Sequence, residues 1–130
     1  MEEFRYKSVL LVDDSYVDNL INRKMLRSNF FAQDITVIDS PLKAIAYIRN
    51  CIEEGTVPEV IFLDIRMPEM DGFEFLDTLN SIEGLQQSEI KIYMLSSSLD
   101  PDDLKQIADS DRVSRFISKP LTEKTLNEIE

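Results

Sequence analysis

Three stretches of this chain are almost unbroken runs of apolar side chains: SVLLV at 8–12, EVIFL at 59–63 and KIYMLS at 91–96. A strand with one wet face alternates apolar and polar residues, whereas a strand covered on both faces has no reason to. Runs this short and continuous are expected of central strands in a parallel sheet sandwiched between helices. Two shorter and more polar segments, DITVID at 34–39 and SRFIS at 114–118, suit the sheet edges.

Helical patterns separate the runs. In SPLKAIAYIRNCIEEG (40–55), Ser40 is placed to cap the helix and Pro41 to occupy its first position. Leu42, Ile45, Ile48 and Ile52 form one stripe, and Gly55 stands just past the end. Segments 18–30, 72–84 and 99–109 read the same way, the last with Asp100 as cap and Pro101 after it, and Thr122 opens a short final segment. Strands β1 to β5 and helices α1 to α5, numbered in chain order, therefore alternate. That predicts an α/β doubly wound fold, because parallel neighbours need right-handed helical crossovers. A flavodoxin-like five-stranded parallel sheet of order 2-1-3-4-5 fits the length. At 130 residues, with only 3 glycines and 5 prolines, the chain is expected to form one domain over 1–130.

Charge narrows the function. Fourteen Lys plus Arg against 25 Asp plus Glu leave a net charge of −11, which opposes direct contact with nucleic acid or an anionic membrane. The single cysteine, Cys51, cannot close an internal disulfide, and no apolar run approaches the ~20 residues of a membrane span. Met1-Glu2-Glu3 lacks signal-peptide chemistry, so a reducing, cytoplasmic setting is expected. The absence of histidine excludes imidazole acid/base catalysis, imidazole metal sites and a phosphohistidine on this chain.

In sheets of this order, ligands bind beyond the carboxyl ends of the strands, where β1 and β3 diverge. There β1 ends in Asp13 and Asp14, β3 in Asp64, β4 in Ser96, and β5 in Ser118 and Lys119. Three carboxylates in one small volume repel each other unless a cation intervenes. Oxygen donors without imidazole or thiolate favour Mg²⁺, with Mn²⁺ as a substitute. A carboxylate can also attack phosphorus, while a metal and a lysine neutralise the transferring group. Each signal has a plainer reading beside it. Asp13-Asp14-Ser15 also reads as a turn and N-cap, Lys119-Pro120 as a solvated loop, Ser96-Ser97-Ser98 as a polar turn, Phe116 as a core aromatic and Cys51 as a small buried hydrophobe. What sets the strand-end residues apart is that they fall on the same sheet edge.

The segments VLLVDDS, VIFLDIRMPEMDG, IYMLSSS and FISKPL, in this order, resemble the receiver domain of two-component response regulators, of the chemotaxis-regulator-like single-receiver type. The likeness covers essentially the whole chain, and the D-x-x-M-P-x-M-D-G run is its most specific part. The resemblance implies that Asp64 is the phosphoacceptor and that Asp13 and Asp14 hold Mg²⁺, with the Arg66 backbone carbonyl as a further ligand. It places the Arg66 side chain near the mouth of the site, tuning dephosphorylation together with Ser98. It further implies that Ser96 and Lys119 bind the phosphoryl group, that a cis peptide bond precedes Pro120, and that Phe116 is the switch aromatic of an α4-β5-α5 output face. The donor would be a sensor histidine kinase or a histidine phosphotransfer protein, and the output a protein target on that face or a phosphorylation-dependent homodimer. The chain would assist its own phosphorylation and dephosphorylation without being an enzyme in its own right.

Only 11 residues follow Lys119 (130 − 119), too few for an output domain. The expectation is either a stand-alone receiver or the receiver of a longer regulator. A phosphatase of the haloacid dehalogenase kind also forms an aspartyl phosphate, but those enzymes resemble D-x-D, whereas here the second position is Arg66 and the general acid is missing. A pseudo-receiver that has lost phosphorylation is disfavoured by the presence of every chemical residue.

Overall fold

All five strands pair in parallel in the order β2-β1-β3-β4-β5. In this computed structural model, which describes residues 3–85, 90–97, 100–110 and 113–129, the chain runs β1 (Tyr6–Val12), α1 (Tyr16–Ser28), β2 (Ala32–Ile38), α2 (Pro41–Glu54) and β3 (Val60–Asp64). It continues through α3 (Gly72–Ser81), β4 (Lys91–Ser96), α4 (Pro101–Ala108), β5 (Arg115–Ser118) and α5 (Glu123–Glu128). The predicted α/β class and the 2-1-3-4-5 order are those observed.

The continuous apolar runs are explained by two cores, one on each side of the sheet. Leu10, Val12, Ile61, Leu63, Ile92 and Met94 point one way and pack with Ala44 and Ile48 of α2 and Phe75 and Leu79 of α3. Their alternates Val9, Leu11, Val60, Phe62, Tyr93 and Leu95 point the other way and pack with Leu26 of α1 and Leu126 of α5. Successive strand side chains face opposite layers, so a strand buried on both sides has no position left for a polar residue until its end.

The expected capping chemistry is present. Ser40 accepts from the Lys43 N–H, Asp100 from the Asp102 N–H and Thr122 from the Thr125 N–H, and Gly55 closes α2 with φ at 74°. Two details depart from the sequence pattern. Leu42 is exposed, because the face of α2 that meets the sheet is made by Pro41, Ala44, Ile45, Ile48 and Cys51, and Leu42 falls at its border. Helix α3 stops at Ser81, since Ile82 turns to an extended conformation and is itself buried.

Candidate functional site

The site is assembled from the ends of strands, where the backbone is held by the ladder and a side chain can be both rigid and accessible. Asp64 closes β3 opposite Leu95, and the next residue continues the ladder through Ile65 N–H to Leu95 O at 3.1 Å. Asp13 follows β1, its N–H donating to Ile38 O at 3.3 Å and its Oδ1 accepting from the Ser15 N–H at 2.9 Å. Asp13 and Asp64 are buried, and Asp14 is exposed beside them. Carboxylate oxygens of Asp13, Asp14 and Asp64 lie within 4.8 Å of one another.

Lys119 enters from the β5 end. Its backbone N–H donates to Ser96 O at 2.9 Å, and the peptide bond to Pro120 is cis, as expected. The ammonium group is held by three carboxylates: Asp18 Oδ2 at 2.8 Å, Asp13 Oδ2 at 2.9 Å and Asp64 Oδ1 at 3.1 Å. Its side chain is only 8% exposed. It is thus a charge fixed inside the acidic cluster and not a solvated loop lysine.

Burial and the neighbouring Asp13 charge push the Asp64 pKa up to about 6, against the downward pull of Lys119. Burial alone would pull the Lys119 ammonium down, but hydrogen bonds to Asp18 and Asp13 and the Asp64 charge outweigh it, and its pKa is raised. A carboxylate held near neutrality within an excess of negative charge is the environment a divalent cation relieves. The donors are all oxygen, which fits Mg²⁺.

The backbone beyond Asp64 is drawn out of the way. Met70 N–H donates to Pro68 O at 2.7 Å around Glu69, whose φ is 72°. An i to i+2 bond around a positive φ is a tight γ-turn, a strained conformation for a residue with a side chain. The chain then doubles back, Gly72 N–H donating to Ile65 O at 2.8 Å. A Cβ at Gly72 would stand 2.9 Å from Asp64 O and 2.8 Å from Met94 Cε, so only glycine lets α3 begin this close to the strand end. Asp71 and Glu74 form a capping box that starts the helix.

The other residues singled out in the sequence fall as follows. Ser96 is the buried last residue of β4, paired in register with Ser118. Phe116 is half-buried and packs against the core on the α2-α3 side, and Cys51 is buried in α2. Ser98 lies outside the described residues. The Arg66 side chain, expected near the mouth of the site, is paired instead with the first turn of α4: its guanidinium donates to Asp103 Oδ2 at 2.6 Å and lies 3.6 Å from Asp100 Oδ2.

Three residues of α1 escaped the sequence reading. Asp18 holds Lys119, Asn19 donates from Nδ2 to Asp13 O at 2.7 Å, and Asn22 Oδ1 accepts from the Leu121 N–H at 2.9 Å. Both asparagines are buried with Leu26. Their signal was the helical spacing: turning Leu26 towards the sheet carries positions 22 and 19 inward with it.

Among known proteins, the family description "Response regulator receiver domain" matches residues 9–129. A probable methanogenesis regulatory protein, FilR2 of Methanothrix harundinacea, is 29% identical over 93% of this chain and 79% of its own length. The two-component response regulator ORR1 of Oryza sativa is 32% identical over 93% of this chain, which spans only 52% of that protein. The crystal structure of a two component response regulator from Cytophaga hutchinsonii is 33% identical, covers 95% of this chain and 92% of its own, and superposes with a TM-score of 0.88. Among the described residues, no helix is long and apolar enough to cross a membrane.

Proposed function

This chain belongs to the response regulator receiver domain family, and on that premise we propose that it is a phosphorylation-dependent switch with Asp64 as phosphoacceptor. The observation that carries the reading is the cluster itself: Asp13, Asp14 and Asp64 gathered within 4.8 Å, with the Lys119 ammonium 3.1 Å from Asp64. In the reaction, an Asp64 carboxylate oxygen attacks phosphorus. The bond from phosphorus to the donor nitrogen or acyl oxygen breaks, and the leaving group takes up a proton or departs as a carboxylate. This chain has no histidine, so the donor is a partner's phosphohistidine, on a sensor histidine kinase or histidine phosphotransfer protein, or a small acyl phosphate.

Asp13, Asp14, Asp64 and the Arg66 carbonyl would hold Mg²⁺, which when bound offsets negative charge on the transferring group. Lys119 turns one of its three N–H donors from Asp64 to the phosphoryl oxygen while Asp13 and Asp18 keep it in place. Ser96, at the neighbouring strand end, supplies a hydroxyl to the same group. The product carries roughly −1.5 to −2 charges on three acceptor oxygens. A conformation that brings Ser96 and Lys119 to it, with Phe116 packed inward, is favoured over the resting one. The readout is a changed α4-β5-α5 face, offered to a protein target or a second copy.

The apolar side chains that α1 exposes beside the site, Tyr16, Val17, Leu20 and Ile21, support a donor that docks as a folded protein. Residues 1–130 are read as a single cytoplasmic receiver, acting alone or within a longer regulator. The chain spans 79% of FilR2 and 52% of ORR1. Incubation with acetyl phosphate and Mg²⁺ should yield one phosphoryl adduct by intact mass, and none after chelation or in Asp64→Asn. An adduct of parental yield in Asp64→Asn would sink the reading.

A further inference from the structure

Arg66 stands two residues beyond Asp64, on the loop that frames the site, yet its charge is committed elsewhere. Its guanidinium meets the first turn of α4, where Asp100, Asp102 and Asp103 follow one another within four positions. The three acids are not equivalent. Asp100 already accepts from the Asp102 N–H at 2.9 Å as the helix cap, and Asp102 is exposed. The Asp103 side chain is only 9% exposed, and Arg66 is the partner 2.6 Å from its Oδ2. A nearly buried carboxylate that loses its cation is left uncompensated and costs more than an exposed pair contributes. The Arg66 side chain is 58% exposed, so it can swing without disturbing either core.

We propose that Asp103 is a positioning residue for the phosphoryl site: it holds the Arg66 guanidinium on α4, and Asp103 and a phosphoryl group on Asp64 compete for it. The proposal rests on the reading of Asp64 as phosphoacceptor. Its chemistry is that of a single planar cation between two anionic sites, one permanent and one acquired. A guanidinium binds phosphate oxygens in the fork geometry that it offers to a carboxylate. When the phosphoryl group forms, Arg66 is drawn back along its own loop, and Asp103 must be satisfied by water. Departure of the exposed guanidinium opens Asp103 Oδ2 to water and removes the ion pair that ties the first turn of α4 to the β3-α3 loop. Loss of the clasp therefore couples occupancy of Asp64 to the seating of the helix that begins the output face. By linkage the coupling is reciprocal: unseating Arg66 from α4 in advance must strengthen the hold on the phosphoryl group by the same factor.

The test titrates beryllofluoride, a phosphoryl mimic, in the presence of Mg²⁺ into the full chain, followed by two-dimensional NMR, in a cycle of Asp103→Asn and Arg66→Ala. Asp103→Asn keeps the shape and removes the charge, and should tighten beryllofluoride binding by roughly two- to five-fold, the scale of a partly exposed ion pair. In the Arg66→Ala background the same substitution should change nothing, because the cation being contested is gone. A purely structural role for Asp103 would shift both backgrounds alike, and that result overturns the proposal, as does an unchanged affinity in Asp103→Asn. Arg66→Gln opens the clasp from its exposed side, where folding is not at risk. It should raise amide exchange at 102–104 without any gain in affinity, and unaltered exchange there would also overturn the clasp. If the parent itself shows no beryllofluoride-dependent change, the phosphoacceptor reading fails and takes the clasp with it. Parental binding with no effect of Asp103→Asn removes the clasp alone.

Discussion

Helices α1 and α2 flank the same two strands from opposite sides of the sheet, yet they are built on opposite plans. Helix α2 buries Ala44, Ile45, Ile48 and Cys51 and lies on the sheet as a hydrophobic cover. Helix α1 turns Asn19 and Asn22 inward with Leu26 and leaves Tyr16 78% exposed, with Val17, Leu20 and Ile21 also outside. Among the described residues, Asn19 Oδ1 and Asn22 Nδ2 are buried without a hydrogen-bond partner, an acceptor and a donor one turn apart on the same face. Such groups cost stability. The return is positional: one amide ties α1 to the Asp13 carbonyl and the other to the loop just past Lys119. One helix is arranged for burial and the other for holding two arms of the site in register.

The sharpest way to break the contrast is a substitution in the α2 core face. Ile48→Ala leaves a cavity under α2 and should lower unfolding free energy by about 3 kcal/mol in urea denaturation. The phosphorylation rate of the folded protein should be close to parental. A parental denaturation curve would mean that the α2 face is not a packed core.

Asp64→Asn probes the strain gathered at the α1 end. The folded pKa of Asp64, about 6, is raised above its ordinary value of 3.8, so between those values the native state binds the extra proton. Stability contributed by protonated Asp64 is therefore present at low pH and lost as pH rises through about 6. In chelator at pH 7.5, Asp64→Asn should stabilise the fold by on the order of 2 kcal/mol, a gain that disappears below pH ~4. A gain independent of pH would assign it to something other than this carboxylate.

Asn22→Ala should cost less, about 1 to 2 kcal/mol: it strands the Leu121 N–H but also removes an unpartnered donor. Unlike Ile48→Ala, it should slow phosphorylation by acetyl phosphate, because the loop carrying Lys119 loses its tie to α1. Equal stability loss with a parental rate would erase the distinction between the helices. The smallest change expected is in Leu20→Asp, within about 0.5 kcal/mol of parental stability. It should lower phosphotransfer from a protein donor and leave the acetyl phosphate reaction untouched.

Much of the site was legible because strand ends are local features. Asp64 terminates an apolar run and Asp13 and Asp14 terminate another, and the sheet order brings the two ends together. Arg66 was legible as a near neighbour of Asp64 but not as a partner of α4. Nothing in an isolated arginine states which of the chain's 25 acidic residues it will meet. Leu42 misled for a related reason: at the border of a helical stripe, a shift of one position decides between core and solvent, and the sheet surface sets that shift.

The sequence by itself determined a two-sided parallel sheet and the acidic residues that end its strands, since apolar runs and their terminating residues are written position by position. Tertiary structure alone decided which strands meet along the sheet, the Asp18 and Asp13 partners of Lys119 across 101 and 106 residues, and the Asp103 partner of Arg66 across 37. Those pairings depend on where rigid elements dock. A charged side chain carries no local record of the carboxylate that packing will bring to it.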